Sequence, residues 1–266
     1  MPFLQTKDKT LHYQLKAHSA PEDILFLHGN LSSNRWWEPT LKELKDLWGE
    51  GEGLKGQLAL MEWLGCGQSR GQIGPQSLEM RSLARDYIHF CHTAGLSEVH
   101  LVGHSTGGLI ALYCLLEEPG LFSKALLLDP VGPRGIKLGP EMDKAFEQMK
   151  ESRDFCASVM AGTIHGVKPE DPFFQSLVDD AFGVQEEIWQ GVPKALEQVD
   201  IFPELKKIHH PVMVLHGEFD TILPLSDSQE LAKNLPAGQF KKLKGQGHST
   251  NVENPRLLAQ EILDFF

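Results

Sequence analysis

The sequence predicts an α/β protein with a mostly parallel, doubly wound, eight-stranded sheet and an inserted helical cap. First, short apolar runs typical of buried strands alternate with longer segments of helical periodicity. Second, several of these runs end in glycine-rich turns with polar side chains, as expected for loops at the carboxyl ends of parallel strands. Third, residues 130–211 lack a strand signal over a length that exceeds a plain crossover between parallel strands.

The elements follow one another in the order expected for such a sheet. Apolar runs and flanking turns, such as those at residues 7–9 and 19–21, predict strands at residues 3–5, 11–15, 24–27, around 58, 99–102, 125–128, 211–217 and 240–244. Helical periodicity predicts helices at residues 36–48, 77–93 and 109–117, with a further helix closing the chain. The first two strands would form a hairpin that leads into the parallel part of the sheet.

Residues 103–107, Gly-His-Ser-Thr-Gly, are the most informative motif. They follow a predicted buried strand and precede apolar residues with helical spacing. A serine on a tight strand-to-helix turn needs small neighbours, because its backbone is strained and the helix passes close to the sheet. Gly103 and Gly107 provide that clearance. The five residues alone are also compatible with an ordinary glycine-rich turn, but their context predicts a nucleophile elbow with Ser105 at its tip.

A serine hydroxyl is a weak nucleophile unless a histidine accepts its proton and a carboxylate orients that histidine. Asp220 follows the predicted strand at residues 211–217 and is the candidate acid. His248 lies in the glycine-rich turn after the strand at residues 240–244 and is the candidate base. The chain order serine, aspartate, histidine is the order expected with this kind of elbow.

Together these motifs resemble the serine-nucleophile branch of the α/β-hydrolase superfamily, which includes esterases and lactonases, over nearly the whole chain. The resemblance includes His-Gly-Asn at residues 28–30, Gly-Cys-Gly-Gln-Ser at residues 65–69, and the histidine segment at residues 247–255. One departure is Leu64, which stands where members often have arginine. The resemblance implies an α/β-hydrolase fold. It also leaves Asp129 as a rival acid, because some members carry the acid there, although residues 217–220 look like the usual acid loop.

The same resemblance implies an oxyanion hole made of two backbone N–H groups. One comes from Thr106, and the other comes from Asn30 or its neighbour Leu31. The candidate substrate-binding residues are Leu31, Trp36, Trp37 and His104. The two tryptophans could equally form the wall of a pocket or staple the following helix. His28 is better explained as a brace of its loop than as a catalytic group.

The expected cap, or lid, comprises residues 133–199 and is inserted after the sixth strand, while residues 1–132 and 200–266 form the core. It is rich in aromatic and methionine side chains, namely Met142, Phe146, Met149, Phe155, Met160, Phe173, Phe174, Phe182 and Trp189. Most of these are expected to pack within the protein, because apolar stripes at helical spacing are usually core. A minority would line an acyl pocket, which suits an apolar or aromatic substrate.

Composition restricts the classes of partner. The 266 residues are enough for one domain with an inserted cap, and 41% hydrophobic residues can form a substantial core. The net charge of −11 argues against non-specific binding to nucleic acid or an anionic membrane. There is no signal-peptide pattern, no run of the ~20 apolar residues that span a bilayer, and no paired cysteine motif. We expect a cytoplasmic monomer or homodimer that acts on a small molecule.

Two other patterns are not expected to bind ligands. Residues 51–56 match a glycine-rich dinucleotide motif, but they follow a helix and precede a strand, which is the reverse of such a site. The histidine pairs His89 with His92 and His209 with His210 lack further ligands at metal spacing. No metal and no other cofactor is therefore expected.

The sequence thus predicts a serine hydrolase that cleaves a carboxylic ester or lactone of a small, largely apolar substrate through an acyl-enzyme. The same motifs occur in carboxylesterases, lactonases, monoacylglycerol lipases and carbon–carbon bond hydrolases, and the sequence does not choose among them. A non-catalytic ligand receptor on this scaffold is the alternative from a different class. A fold alone does not fix a substrate.

Overall fold

The computed structural model describes residues 2–19, 21–48 and 55–266. Most of the glycine-rich pattern at residues 51–56 lies outside these residues, as does Ala20 of the predicted turn at residues 19–21. In the described part of the chain, no helix is both long enough and apolar enough to cross a lipid bilayer.

The described residues form a mostly parallel sheet. Its strands are β1 (Phe3–Gln5), β2 (Lys9–His18), β3 (Ile24–Leu27), β4 (Gly56–Met61), β5 (Arg70–Gly71), β6 (Val99–His104), β7 (Phe122–Leu128), β8 (Val212–Gly217) and β9 (Gly238–Leu243). Their order is β1-β2-β4-β3-β6-β7-β8-β9, and β5 pairs with β2. Strand β2 is antiparallel to each of its neighbours, and the strands from β4 to β9 along this path are parallel.

The doubly wound sheet is therefore as predicted, with one correction to its strand number. The two-residue strand β5 is additional to the eight predicted strands. It contains a glycine and too few residues to show the period-two alternation by which a strand is recognised in a sequence. These two residues pair with β2 because β2 extends over ten residues and leaves a free edge beside them.

Helices cover both faces of the sheet. The core helices are α1 (Glu38–Trp48), α2 (Met80–Ala94), α3 (Thr106–Glu117), α8 (Leu225–Asn234), α9 (Thr250–Glu253) and α10 (Pro255–Phe265). Two 3-10 helices, Asn34–Trp37 and Phe202–Lys207, accompany them. The helix predicted from residue 36 thus begins as a 3-10 turn, and the helix predicted from residue 77 begins at Met80, after a turn.

The strands alternate their side chains between two apolar clusters, as the period of two requires. Leu25 and Leu27 of β3 face the larger cluster, which includes Leu83 of α2. Ile24 and Phe26 face the second cluster, which includes apolar residues of α1 and α10. The sheet is therefore buried on both faces, and the loops at the carboxyl ends of its parallel strands are left to build a site.

Four helices lie between β7 and β8: α4 (Pro140–Glu151), α5 (Arg153–Ala161), α6 (Pro172–Phe182) and α7 (Ile188–Glu197). Several of their apolar side chains, such as Phe174, Leu177 and Trp189, are buried in the larger cluster. Phe182, by contrast, is exposed. The segment from residue 133 to residue 199 is called the helical insertion below.

Candidate active site

Ser105 occupies a strained turn between β6 and α3. Its φ and ψ angles are 54° and −121°, a backbone conformation that residues with a side chain rarely adopt. Three backbone hydrogen bonds fix it: the Ser105 N–H donates to the Leu128 carbonyl at 2.9 Å, and the Ser105 carbonyl accepts from Gly108 at 3.0 Å and from Val131 at 3.2 Å. The surrounding backbone therefore imposes the turn that the motif predicts.

Asp220 is paired with His248. The His248 Nδ1–H donates to Asp220 Oδ2 at 2.8 Å, and Asp220 Oδ1 accepts the N–H groups of Ile222 at 2.7 Å and Leu223 at 3.1 Å. Burial alone would raise the pKa of Asp220, but the contact with His248 and the two backbone donors outweigh it and lower that pKa. The carboxylate is thus ionised and fixes the tautomer that leaves His248 Nε2 free to accept a proton.

The rival acid Asp129 is hydrogen-bonded to the backbone of the acid loop. Its Oδ1 accepts the Gly217 N–H at 2.7 Å, and its side chain is fully buried. Burial first, and the adjacent charge of Asp220 second, raise the pKa of Asp129 well above its usual range. Of the two rival aspartates, Asp220 is the one in contact with His248.

Glu253, in α9, holds the loop that carries His248. Its Oε2 accepts the Gly247 N–H at 2.6 Å, and its Oε1 accepts the N–H groups of Ser249 and His165, each at 2.9 Å. It therefore braces the residues on both sides of the histidine and ties this loop to the helical insertion. Sequence reasoning did not single out Glu253, although it lies in the histidine segment five residues after His248.

We expect the Glu253→Gln variant to lower kcat/KM by about tenfold for the esters that the sequence predicts as substrates, and the free energy of unfolding by about 2 kcal/mol. The glutamine amide keeps one acceptor oxygen, but an NH₂ group replaces the other. At least one backbone N–H group therefore loses its hydrogen bond. For a chain of this length the loss corresponds to about 5 °C in Tm. Thermal unfolding and ester kinetics measure both effects. The Glu187→Gln variant, at an exposed position of the insertion, is the matched control, and equal behaviour of the two variants would contradict the bracing role.

The loop after β3 lies beside the elbow. Leu31 has a positive φ of 51°, and its N–H donates to the Asn30 side-chain oxygen at 2.9 Å. Thr106 is the first residue of α3, where backbone N–H groups are not used within the helix. Asn30, Leu31 and Thr106 line the same cavity as Ser105 and His248.

Two buried residues, Trp63 and Glu62, support the loop after β3. The Trp63 indole N–H donates to His28 Nδ1 at 2.7 Å, and burial lowers the pKa of His28 to about 3, so that the imidazole is neutral. Glu62 accepts the backbone N–H of Asn34 at 3.2 Å and that of Gln68 at 2.6 Å, which links the loop after β3 to the loop after β4. Sequence reasoning assigned Glu62 no role, because its partner Asn34 lies 28 residues away in the sequence.

The cavity above Ser105 has a volume of about 240 Å³. Of the four predicted substrate-binding residues, Leu31, Trp36 and His104 line it. Trp37 packs instead in the second apolar cluster, where its ring lies 5.1 Å from that of Phe26, so the structure places it in the core. Burial, followed by the proximity of His248, lowers the pKa of His104 to about 3, and its Nε2–H donates to the His248 carbonyl at 2.9 Å.

Most of the remaining cavity wall comes from the helical insertion. The side chains from this segment are mostly apolar: Ile136, Leu138, Met142, Ala145, Phe146, Met149, Val159, Met160, Pro193 and Leu196. The lining residues of this cavity include no aspartate, glutamate, lysine or arginine. The insertion thus places apolar and uncharged residues around the side chains of Ser105 and His248.

Comparison with known proteins agrees with this architecture. The alpha/beta hydrolase family matches residues 24–261. A putative carbamate hydrolase RutD from Agrobacterium fabrum is 24% identical, with 96% of this chain and 97% of that protein covered. An esterase from Exiguobacterium antarcticum is similar in structure, with a TM-score of 0.87, 19% identity and coverage of 99% and 98%. The enol-lactonase from Burkholderia xenovorans LB400 gives a TM-score of 0.85 at 17% identity, with 99% of each chain covered. The chain therefore belongs to the alpha/beta hydrolase family.

Proposed function

We propose that this hydrolase cleaves neutral carboxylic esters or lactones with an apolar acyl part, through an acyl-enzyme on Ser105. The observation that carries the proposal is the pairing of His248 with Asp220 in a cavity that also contains the strained Ser105. A strained serine, a histidine in a fixed tautomer and an ionised carboxylate are the three parts that serine acyl transfer requires.

In the first half-reaction His248 Nε2 accepts the Ser105 proton as the hydroxyl oxygen attacks the substrate carbonyl. The proton then passes to the leaving alcohol as the carbon–oxygen bond breaks. In the second half-reaction His248 removes a proton from water, which attacks the acyl-enzyme, and returns that proton to Ser105 as the acid is released. Asp220 stays ionised throughout and stabilises the imidazolium.

Two backbone donors are proposed to stabilise the negative charge on the former carbonyl oxygen. The Thr106 N–H is one. The Leu31 N–H already donates to the Asn30 side chain, so the N–H of Asn30 itself is the better candidate for the second. Each donor of this kind is worth about 3 kcal/mol in the transition state.

The apolar cavity favours an uncharged acyl group. Scaled to the ~150 Å³ cavity that holds one benzene ring, the space above Ser105 accommodates roughly ten carbon atoms. The name of the relative RutD suggests a carbamate as another class of substrate. A carbamate anion would meet no cationic partner among the lining residues, whereas a neutral carbamate ester could undergo the same attack by Ser105.

We further propose that the helical insertion acts as the lid of this cavity.

Labelling with a fluorophosphonate tests whether Ser105 is activated. The purified protein is treated with the probe, and the modified peptide is identified by mass spectrometry. An adduct on Ser105 that is absent from the His248→Ala variant supports the proposal. A folded protein that takes up no label, yet binds apolar esters tightly and without turnover, would instead be a receptor on this scaffold.

The cavity predicts a dependence on acyl length. For p-nitrophenyl esters, kcat/KM is expected to rise from the acetyl to the octanoyl ester and to be at least tenfold lower for a succinyl ester, whose charge cannot be solvated there.

Ala145→Trp should fill the cavity and reverse the preference, lowering octanoyl hydrolysis at least tenfold while acetyl hydrolysis is retained. Ala145→Ser, which keeps the volume, is the control. An unchanged preference in Ala145→Trp would place the acyl group elsewhere.

A further inference from the structure

A second carboxyl group lies directly behind the acid of the proposed triad. This group is Asp129, which directly follows β7. Its potential metal-ligating atoms and those of His216 and Asp220 lie within 4.8 Å of one another. The side chains of all three are almost completely buried. Two carboxylates this close in a water-poor site repel strongly, so they are not expected to be ionised together.

The hydrogen bonds of the two carboxyl groups indicate which of them is the better site for a proton. Asp220 accepts from three donors, namely His248 and the backbone N–H groups of Ile222 and Leu223. Asp129 accepts from one, the Gly217 N–H, and its Oδ2 has no donor among the described residues. Negative charge is therefore better solvated on Asp220. A proton on Asp129 Oδ2 would convert an orphaned acceptor into a donor toward Asp220.

The backbone at Asp129 is also under constraint. Its φ angle is 42°, in the left-handed region that residues with a side chain usually avoid, and its N–H donates to the Leu215 carbonyl at 2.9 Å. Such conformations persist where the surrounding structure imposes them, and they concentrate at functional sites. The strained turn holds the Asp129 side chain under the acid loop, beside Gly217.

We propose that Asp129 is a positioning residue of the active site, whose neutral carboxyl group donates a hydrogen bond to Asp220 and holds that carboxylate toward His248. The pKa of Asp129 supports this assignment, because burial and the charge of Asp220 both raise it. The inference rests on the proposed hydrolase function, since it concerns the same triad.

The other groups around this pair are consistent with a neutral Asp129. His216 Nδ1 lies 2.9 Å from the Ser228 hydroxyl and 3.5 Å from Asp129 Oδ1, and its Nε2 lies 3.8 Å from Asp220 Oδ2. Burial lowers the pKa of His216, which favours its neutral form, so this histidine gives a second carboxylate little stabilisation. Glu253 adds a further negative charge nearby, which also disfavours ionisation of Asp129.

A metal ion bound by the same three side chains is the competing explanation of the cluster. Asp220 Oδ2 is already occupied by His248, and His216 Nδ1 by Ser228. Coordination by Asp220 and His216 would compete with both contacts, including the one that orients the catalytic histidine. The proton on Asp129 accounts for the cluster without disturbing either contact.

The Asp129→Asn and Asp129→Leu variants separate these roles. An asparagine reproduces a protonated aspartate: its oxygen can accept from Gly217 while its NH₂ group donates to Asp220. We expect kcat/KM for p-nitrophenyl butyrate to stay within threefold of the original protein in Asp129→Asn, with an unchanged pH profile. Asp129→Leu removes the donor and leaves Asp220 more basic, so kcat/KM should fall at least tenfold and the acid limb of its pH profile should move to higher pH.

Two results would overturn the proposal. A fall in Asp129→Asn as large as that in Asp220→Asn would mean that Asp129 acts as an ionised carboxylate. An Asp129→Leu variant with the original rate and acid limb would mean that Asp129 only fills space. The pH dependence of fluorophosphonate labelling gives the same comparison if none of the esters proves to be a substrate.

Thermal stability provides a test that requires no catalytic activity. It can be carried out even if Asp129→Leu does not fold. The folded protein keeps a proton on Asp129 that the unfolded chain loses above its ordinary pKa near 4, so this group contributes less stability as pH rises. Asparagine does not titrate. The Tm of Asp129→Asn, relative to that of the original protein, should therefore increase from pH 5 to pH 9. A constant difference would show that Asp129 is ionised in the folded protein, whatever reaction the site performs.

Discussion

Replacing Ser105 with alanine is expected to lower kcat for the best ester substrate by about a million-fold, to the limit of detection, as for other serine hydrolases. In the proposed reaction the hydroxyl oxygen forms the acyl bond, and we expect no other side chain of the cavity wall to replace it. The cysteines are buried, and burial raises the pKa of Cys66 above its usual range, which keeps that thiol protonated and unreactive. Steady-state kinetics with a burst-phase measurement provide the test.

The His248→Ala variant and the double variant sharpen this experiment. In the proposed mechanism serine and histidine act as one unit, so the double variant should be no slower than either single variant. Ser97→Ala, at an exposed serine outside the cavity, should be as active as the original protein. Retention of more than about 1% of the activity in a folded Ser105→Ala protein would contradict an acyl-enzyme on this residue.

The parts of the site that could be predicted from the sequence are those fixed by local chain geometry. A serine between glycines at a strand-to-helix turn, and an aspartate and a histidine just after later strands, identify their own positions, because parallel strands end at the same edge of the sheet. The structure pairs Asp220 with His248 at 2.8 Å, as the spacing predicts.

The parts that could not be predicted depend on contacts between distant segments. Trp36 and Trp37 are adjacent and identical, and only the 3-10 turn that carries them sends Trp36 to the cavity and Trp37 to the core. The contact of Asp129 with the acid loop depends on the pairing of β7 with β8, which sequence spacing does not reveal. Which apolar residues of the helical insertion face Ser105 depends equally on how that segment packs.

Substitution of Gly107 by alanine should strongly destabilise the fold. A Cβ atom at this position would lie 2.2 Å from the carbonyl oxygen of Leu27 and 2.6 Å from that of His28, and both are backbone atoms that cannot rotate away. Helix α3 would have to move off strand β3. We expect a loss of at least about 3 kcal/mol in the free energy of unfolding, or about 7 °C in Tm for a chain of this length.

The same displacement should reduce catalysis in the protein that remains folded. It separates the Thr106 N–H and Ser105 from the loop that carries Asn30, and a shift of about 1 Å in a reacting geometry can cost 100-fold in rate. Gly120→Ala is the matched control, because a Cβ atom there meets no other atom within 4 Å, and its Tm and kcat/KM should be unchanged. If Gly107→Ala matched Gly120→Ala in both measurements, helix α3 and the loop after β3 would not be in the close contact on which the proposed oxyanion hole depends.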